Sequence, residues 1–252
     1  MTKLNLSIII PCYNEEANLE LGVLHQVHKY LEEKKLEYEV IISDDGSTDK
    51  SREIIKREIK NFKKFKLLEN IHGGKPVALL SGLGDAKGDW VLFTDMDQST
   101  PITELDKLLP FTKDYSVVIG SRGLSRNNFS LYRQLGSVAF LTFRRLLILP
   151  EIKDTQCGFK LFKKEELAKS FPELEFFKVK QRVTGWKVSS YDVELLHILK
   201  KHGSRIKEVV VAWHDRDESI GKGGGVSRYL RESKEMFMQI LRVKMNDLKG
   251  MY

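Results

Sequence analysis

The stretch VLFTDMDQSTP, residues 91–101, runs from an apolar segment directly into two aspartates. A continuous run of apolar residues is typical of a strand that is buried on both faces of a parallel sheet. Asp95 and Asp97 then place two carboxylates where that strand ends. Because ligands of open α/β sheets bind at the carboxyl ends of the strands, this stretch predicts both the sheet and its functional edge.

Strand and helix patterns alternate on either side of this stretch. Strands are expected at 6–10, 38–43, 65–70, 89–95 and 115–122, and helices at 15–35, 47–62, 75–88 and from Pro101 onward. This order predicts an α/β protein whose mostly parallel, Rossmann-like sheet carries helices on both faces. After residue 123 the pattern loosens, with helices expected at 131–149, 164–171 and 190–203 and a late strand at 205–213.

The chain is expected to divide near its last glycine run. Residues 1–220 are predicted to form the catalytic domain, and 221–252 a mobile loop followed by a basic, amphipathic C-terminal helix. The GKGGG sequence at 221–225 supports this division, because consecutive glycines leave the backbone unusually free.

Composition narrows the class of protein. The 252 residues are 41% hydrophobic and 31% charged, which is ordinary for a globular chain. Two cysteines, Cys12 and Cys157, give no disulfide framework and no CxxC metal pattern. The opening sequence MTKLNLSIII is not expected to be a signal peptide, because it runs directly into a strand pattern and then a proline. No apolar run reaches the roughly 20 residues that a bilayer span needs. The net charge of +7 favours an anionic partner such as a lipid surface, a phosphate ligand or nucleic acid, although a merely basic soluble protein would share it.

Three of the four strand ends that this pattern brings together are acidic. They are PCYNEE (11–16), SDDGSTD (43–49) and TDMDQS (94–99), whereas the strand at 115–122 ends in GSR. Carboxylates that converge on one edge repel one another unless a cation or hydrogen-bond donors lie between them. Oxygen ligands without nearby Cys or His favour Mg²⁺ or Mn²⁺, whose remaining ligands are water and phosphate. The hypothesis is therefore that Asp95 and Asp97 bind a metal that in turn binds a diphosphate.

Five ordered segments resemble family 2 of the inverting glycosyltransferases, which have the GT-A fold. They are SIIIPCYNEEANL (7–19), IISDDGSTD (41–49), HGGKPVALLSGLGDAKGDWVLFTDMD (72–97), VVIGSR (117–122) and DTQCGFKLF (154–162). More narrowly, they are similar to the polyprenyl-phosphate sugar transferases, the dolichyl-phosphate β-glucosyltransferases and mannose synthases, and DTQCGFKLF is nearest to the glucosyl branch. The resemblance implies metal-dependent, inverting transfer of glucose or mannose from UDP-glucose or GDP-mannose to a polyprenyl phosphate.

The resemblance also implies roles for residues on the donor side. Pro11, Tyr13 and Glu15 would line the nucleoside pocket, Asp44 or Asp45 would accept hydrogen bonds from the base or ribose, Lys75 would approach the nucleotide, and Asp95 and Asp97 would bind metal and diphosphate. Many relatives have a Gln two residues after the acidic pair, where this chain has Ser99. The third metal ligand therefore stays open.

The acceptor side needs cations. A lipid monophosphate is already ionised near neutral pH, its second pKa being about 6, so it needs positive charge and not a strong base. Arg122, Arg133 and Ser137 resemble the family's acceptor-phosphate site, and arginine forks suit phosphate geometry. Asp154 would lie near the reacting sugar, where it would orient hydroxyls or act as a base. The stretch at 213–228 resembles a mobile basic loop that closes over phosphate, with Arg216 and Lys222 in one alignment and Ser227 and Arg228 in another.

Two further helices bear on location and partners. The segments 131–149 and 226–245 mix apolar residues with Arg and Lys, a pattern typical of helices in a bilayer interface but equally of helices buried against a sheet. We expect a cytoplasmic enzyme that is peripheral on the cytoplasmic face of a membrane, by direct contact or through a separate membrane-anchoring protein. Two alternatives stay open: transfer to a hydroxyl of a growing polysaccharide or glycolipid, and a non-enzymatic nucleotide-binding scaffold. Nucleic acid is not expected as a partner, because no recognition motif is present.

Overall fold

The structure is a computed structural model that describes residues 5–34, 36–123, 142–178, 191–214 and 226–252, with only the backbone described at 226–236. Seven strands form one sheet: β1 (Asn5–Cys12), β2 (Glu37–Asp44), β3 (Phe65–Glu69), β4 (Trp90–Phe93), β5 (Val117–Ser121), β6 (Lys160–Lys163) and β7 (Ile206–Val210). Their order is β3-β2-β1-β4-β6-β5-β7. Every neighbouring pair is parallel except those of β6, which is antiparallel to both β4 and β5.

Helices connect and cover these strands. The described α-helices are α1 (Glu16–Glu20), α2 (Val23–Glu33), α3 (Ser51–Glu58), α4 (Lys75–Asp85), α5 (Leu105–Leu108), α6 (142–147), α7 (Lys164–Ser170), α8 (Glu175–Lys178), α9 (Tyr191–Lys201) and α10 (Val226–Leu248). Short 3₁₀ turns lie at Ile59–Asn61, Ile102–Glu104, Leu109–Lys113 and Phe171–Glu173. No helix in these ranges is both long and apolar enough to cross a bilayer.

The sheet is buried on both faces, as the continuous apolar strands predict. Side chains alternate along each strand, so that Ile8 and Ile10 of β1 pack on one face and Ile9 packs on the other. Helices α1, α2, α3 and α5 cover the first face, while α4, α7, α9 and α10 cover the second. The predicted α/β class, with a mostly parallel sheet and helices on both faces, is confirmed.

Two local expectations need adjustment. The helix expected at 15–35 is divided into α1 and α2, because Gly22 adopts φ +72° between them. The first strand does not end at Pro11 but continues to Cys12, paired with β2. Proline is tolerated there because pairing with β4 stops at Ile9, and Thr94 donates its N–H to the Ile9 carbonyl on that side. The missing N–H of Pro11 therefore faces an edge with no ladder to complete.

The antiparallel strand β6 shapes the functional edge. Lys160, the first residue of β6, pairs with Phe93, the last residue of β4. The residues before β6 therefore lie at the same carboxyl edge as the residues that follow β4. The sequence predicted the parallel strands but gave no assignment to 157–163, and this strand brings the DTQCG segment to Asp95.

Candidate active site

The acidic loop after β4 is fixed from within. Met96, between the two aspartates, is 2% exposed and belongs to the core. Asp97 accepts hydrogen bonds from the Ser99 N–H (2.8 Å) and the Ser99 hydroxyl (2.9 Å). Gln98 adopts φ +50° and donates its side-chain N–H to the Asp95 carbonyl (2.8 Å). Ser99, at the position where a third metal ligand was sought, therefore orients Asp97 through these two hydrogen bonds.

Asp95 is held by a lysine and a glycine from two other segments. Lys75, the first residue of α4, places Nζ 2.5 Å from Asp95 Oδ1. Burial opposes the positive charge on Lys75, but the carboxylates of Asp95, Asp192 and Asp97 outweigh it and raise its pKa. On another side, a Cβ added to Gly158 would lie 2.0 Å from Asp95 Oδ2. Only glycine leaves room for this carboxylate at that point of the DTQCG segment.

The two aspartates after β2 have different surroundings. Asp44 is fully buried, and its Oδ2 accepts hydrogen bonds from the N–H groups of Gly46 and Ser47 and from Arg52 Nε (2.5 Å). Asp45 instead binds the loop after β3. Its Oδ1 accepts a hydrogen bond from the Gly73 N–H (2.9 Å), and its Oδ2 accepts one from the Gly74 N–H (2.8 Å). Asp44 therefore shapes its own turn, while Asp45 fastens a second loop to this edge.

The residues after β1 join the same edge. The ring of Tyr13 stacks on that of His72, with centroids 4.4 Å apart. Glu15 accepts a hydrogen bond from the Asn18 amide (2.6 Å), and the Glu15 N–H donates to Ser51 Oγ (2.8 Å). Pro11 is partly exposed at the end of β1. The predicted nucleoside-side residues thus lie on loops that contact one another.

Arg122 and Asp154 form a bidentate ion pair. Arg122 donates from its backbone N–H and from Nε to Asp154 Oδ2 (3.0 and 2.7 Å), and from a terminal nitrogen to Oδ1 (2.9 Å). Burial would raise the pKa of Asp154, but the hydrogen bonds and charge of Arg122 outweigh it and hold that pKa well below its usual range. A carboxylate with so low a pKa orients its neighbours and is a poor proton acceptor.

The loop that carries Asp154 is clamped from two sides. Glu208 of β7 accepts the N–H groups of Lys153 and Asp154 (2.8 and 2.7 Å). The buried guanidinium of Arg144 donates to the carbonyls of Ile152 (2.7 Å) and Lys153 (3.0 Å). Burial lowers the pKa of Arg144 to about 10. These contacts position Asp154.

Sequence reasoning missed Asp192, in the first turn of α9. Its Oδ1 lies 2.5 Å from Nζ of Lys160, which also donates to the Cys157 carbonyl (2.5 Å). The negative charge of Asp192 also helps to raise the pKa of Lys75, the partner of Asp95. The signal was an acidic residue opening a helix, but a first-turn Asp usually serves the helix dipole alone. Lys160, the first residue of β6, is 1% exposed.

Five predicted acceptor-side residues are not among the side chains that the structure describes. Arg133, Ser137, Arg216 and Lys222 lie outside the described residues, and Arg228 lies in the part of α10 whose side chains are not described. Within the described ranges, no three His, Cys, Asp or Glu side chains are grouped as a ready-made metal cage. Asp95 and Asp97 nevertheless offer the oxygen donors that suit Mg²⁺ or Mn²⁺ when phosphate and water complete the shell.

Known proteins are similar to this chain in sequence or in fold. The profile of "Glycosyl transferase family 2" matches residues 7–171. The dolichyl-phosphate beta-glucosyltransferase of Dictyostelium discoideum is 30% identical over 98% of this chain and 76% of its own length. A mannosyltransferase of Pyrobaculum calidifontis, solved with GDP-Man and Mn²⁺, has a TM-score of 0.62 at 21% identity, covering 96% of this chain and 65% of its own. Glucosyl-3-phosphoglycerate synthase of Mycobacterium tuberculosis, solved with Mn²⁺ and UDP-glucose, has a TM-score of 0.63 at 17% identity, covering 96% and 79%.

Proposed function

Since the chain belongs to glycosyl transferase family 2, we propose that it transfers a hexose from a nucleotide-diphosphate sugar to a polyprenyl phosphate, with inversion. The dolichyl-phosphate beta-glucosyltransferases among its relatives favour glucose from UDP-glucose over mannose from GDP-mannose. The observation that carries the proposal is the meeting, at one sheet edge, of the Asp95–Lys75 pair with the Arg122–Asp154 pair. The first suits a diphosphate donor and the second lies where an anionic acceptor would approach.

The donor half of the reaction concentrates charge on the leaving diphosphate. Asp95 and Asp97 would hold Mg²⁺ or Mn²⁺, which when bound supplies electrostatic stabilisation to that diphosphate. Lys75 adds a fixed positive charge, since its raised pKa keeps it protonated at neutral pH. Lys75 partly neutralises Asp95, and with the donor bound its ammonium would donate hydrogen bonds to phosphate oxygens.

The acceptor half needs orientation more than proton transfer. An oxygen of the lipid phosphate forms the new bond to the anomeric carbon while the bond from that carbon to the diphosphate breaks, and no proton has to leave the acceptor. Arg122, together with Arg133, Ser137 and the basic residues Arg216, Lys222 and Arg228, would hold that phosphate in line. The low pKa of Asp154 is consistent with this chemistry, because Asp154 would position Arg122 and the sugar.

A lipid acceptor places the reaction at a membrane surface. Phe143 of α6 stacks on Phe237 of α10 (3.7 Å), and beside them Leu146 and Met238 are exposed by 79% and 56%. Arg242 and Lys244 of the same helix pair with Glu175 and Asp247, so it is the exposed apolar side chains that suit contact with a bilayer interface. We therefore assign the protein to the cytoplasmic face as a peripheral enzyme, alone or with a separate anchoring protein.

One observation favours a second candidate, transfer to a hydroxyl of a growing polysaccharide or glycolipid. A hydroxyl acceptor must lose a proton, and the Asp192 carboxylate, whose charge acts on Lys75, would be the group to take it. On this reading, Asp192→Asn abolishes transfer. On the lipid-phosphate reading, Asp192→Asn lowers the rate only through its effect on Lys160 and Lys75.

The test is a panel of radiolabelled nucleotide sugars with polyprenyl phosphate, with and without EDTA. We expect label in the lipid product with one donor, loss of transfer with EDTA, and loss of transfer in Asp97→Ala. Asp106→Ala is the matched control, because that carboxylate pairs with Lys34 on the surface. Arg133→Ala should mainly weaken use of the lipid phosphate. Full activity of Asp97→Ala in metal-free buffer would exclude the metal-dependent mechanism.

A further inference from the structure

His72 is held in one orientation by two residues, Tyr13 and Asp45, at the edge predicted to bind the nucleoside. Its ring stacks on Tyr13 with an interplanar angle of 20°. Its Nδ1 lies 2.9 Å from the Asp45 carbonyl and 2.9 Å from Asp45 Oδ2. The following N–H groups, of Gly73 and Gly74, are bound by the same carboxylate. A side chain placed this firmly is pre-organised for a contact.

The loop of His72 also requires glycine on the opposite side. Gly46 adopts φ +80°, and a Cβ there would lie 2.8 Å from the His72 backbone nitrogen. Asp45 and Gly46 thus bring the turn after β2 into direct contact with the turn after β3. At this contact the side chain of His72 is 28% exposed.

The partners of Nδ1 determine which tautomer the ring adopts. The Asp45 carbonyl and the Asp45 carboxylate only accept hydrogen bonds, so Nδ1 must carry the proton. In the neutral ring, Nε2 then carries a lone pair and is an acceptor. The side chain therefore has a flat ring face opposite Tyr13 and one hydrogen-bond acceptor, Nε2.

Resting on the donor assignment above, we propose that His72 reads the nucleobase of the donor and selects a base whose ring carries an N–H group. Uracil and guanine have such a donor, at N3 and N1. Cytosine and adenine have an acceptor lone pair at the corresponding ring nitrogen, which would face the lone pair of Nε2. Asp45 is then the residue that fixes the tautomer and orientation of His72, and Tyr13 supports the ring from its other face.

The experiment measures binding, so that it does not depend on the acceptor. UDP and CDP, and GDP and ADP, are titrated calorimetrically into the full chain with MnCl₂ present. We expect the wild-type protein to bind UDP or GDP more tightly than the partner nucleotide of the pair. His72→Phe keeps the stacking surface and removes the acceptor, so the ratio of affinities should fall about tenfold, the size of one net hydrogen bond.

A second stacked histidine provides the matched control. His28 on α2 stacks on Phe62 with ring centroids 4.0 Å apart. His28 is remote in sequence from His72, and His28→Phe should leave the ratio of nucleotide affinities unchanged. A His72→Phe variant with the wild-type UDP/CDP or GDP/ADP ratio would overturn the proposal while leaving the donor assignment intact. If the wild-type protein bound none of the four nucleotides, both would be overturned.

Discussion

Replacing Gly158 by alanine should disable the site without unfolding the protein. The new Cβ would lie 2.0 Å from Asp95 Oδ2 and 2.7 Å from its Cγ, whereas ordinary van der Waals contact begins at 3.4 Å. The separation between the new Cβ and Asp95 Oδ2 is 1.4 Å shorter than an ordinary contact, so Asp95 must rotate or move away. Because a misplacement of about 1 Å can cost on the order of 10²-fold in rate, we expect kcat to fall by about that factor. Overpacking should also lower the free energy of unfolding by about 1–3 kcal/mol.

The assay pairs steady-state transfer with calorimetric binding of UDP or GDP in the presence of Mn²⁺. We expect weaker metal-dependent nucleotide binding in Gly158→Ala, since the same carboxylate is displaced. Gly84→Ala is the control: Gly84 lies in α4 with nothing within 4 Å of its added Cβ, so that variant should keep its activity and gain up to about 1 kcal/mol of stability. Wild-type kcat and wild-type Mn²⁺-dependent binding in Gly158→Ala would refute the reasoning, because the close approach to Asp95 would then have no functional consequence.

Three further predictions follow from individual contacts. Asp154→Asn should destabilise the fold by about 3 kcal/mol, because it leaves the largely buried Arg122 without its charge partner; a double-mutant cycle with Arg122→Met by urea unfolding should show strong coupling, and additive effects would contradict the ion pair's role. Ser99→Ala should raise the Mn²⁺ concentration needed for half-maximal transfer about tenfold, since Asp97 loses a hydrogen bond; an unchanged requirement would show that Ser99 does not orient Asp97. Burial lowers the pKa of His197, so the unfolded chain binds more protons at acid pH, and the free energy of unfolding should fall as the pH drops below about 6.5. His197→Asn should lose this dependence of the unfolding free energy on pH, and an identical dependence would assign it to other groups.

The sequence was informative where a feature of the site depends on residues that are close together in the chain. The apolar run before Asp95 predicted a central strand, and the acidic ends of three strands predicted the edge at which Asp45, Asp95 and Asp97 meet. Such inferences succeed because a parallel sheet places every strand's carboxyl end on one side. The segment 154–162 pointed to the site by resemblance alone. Its antiparallel strand could not be predicted, since the direction of a four-residue strand depends on its neighbours.

The pairings at the site depended on distances between remote segments. Lys75 and Asp95 are twenty positions apart, and Lys160 and Asp192 are thirty-two, so no periodicity in the chain links them. The low pKa of Asp154 follows from its pairing with Arg122. That low pKa argues against Asp154 as a proton acceptor and favours a role in orientation. The sequence around His72 shows only a glycine turn, and the contact of its ring with Asp45 is what fixes its tautomer.

What the sequence by itself determined was the class of fold, the functional edge and the type of chemistry, because strand patterning and acidic strand ends are local properties of the chain. What only the tertiary structure decided was which charges are paired and where a glycine is obligatory. Those outcomes depend on three-dimensional contacts: Gly158 is needed because a carboxylate from β4 lies against the segment entering β6, and nothing near position 158 in the chain records that approach.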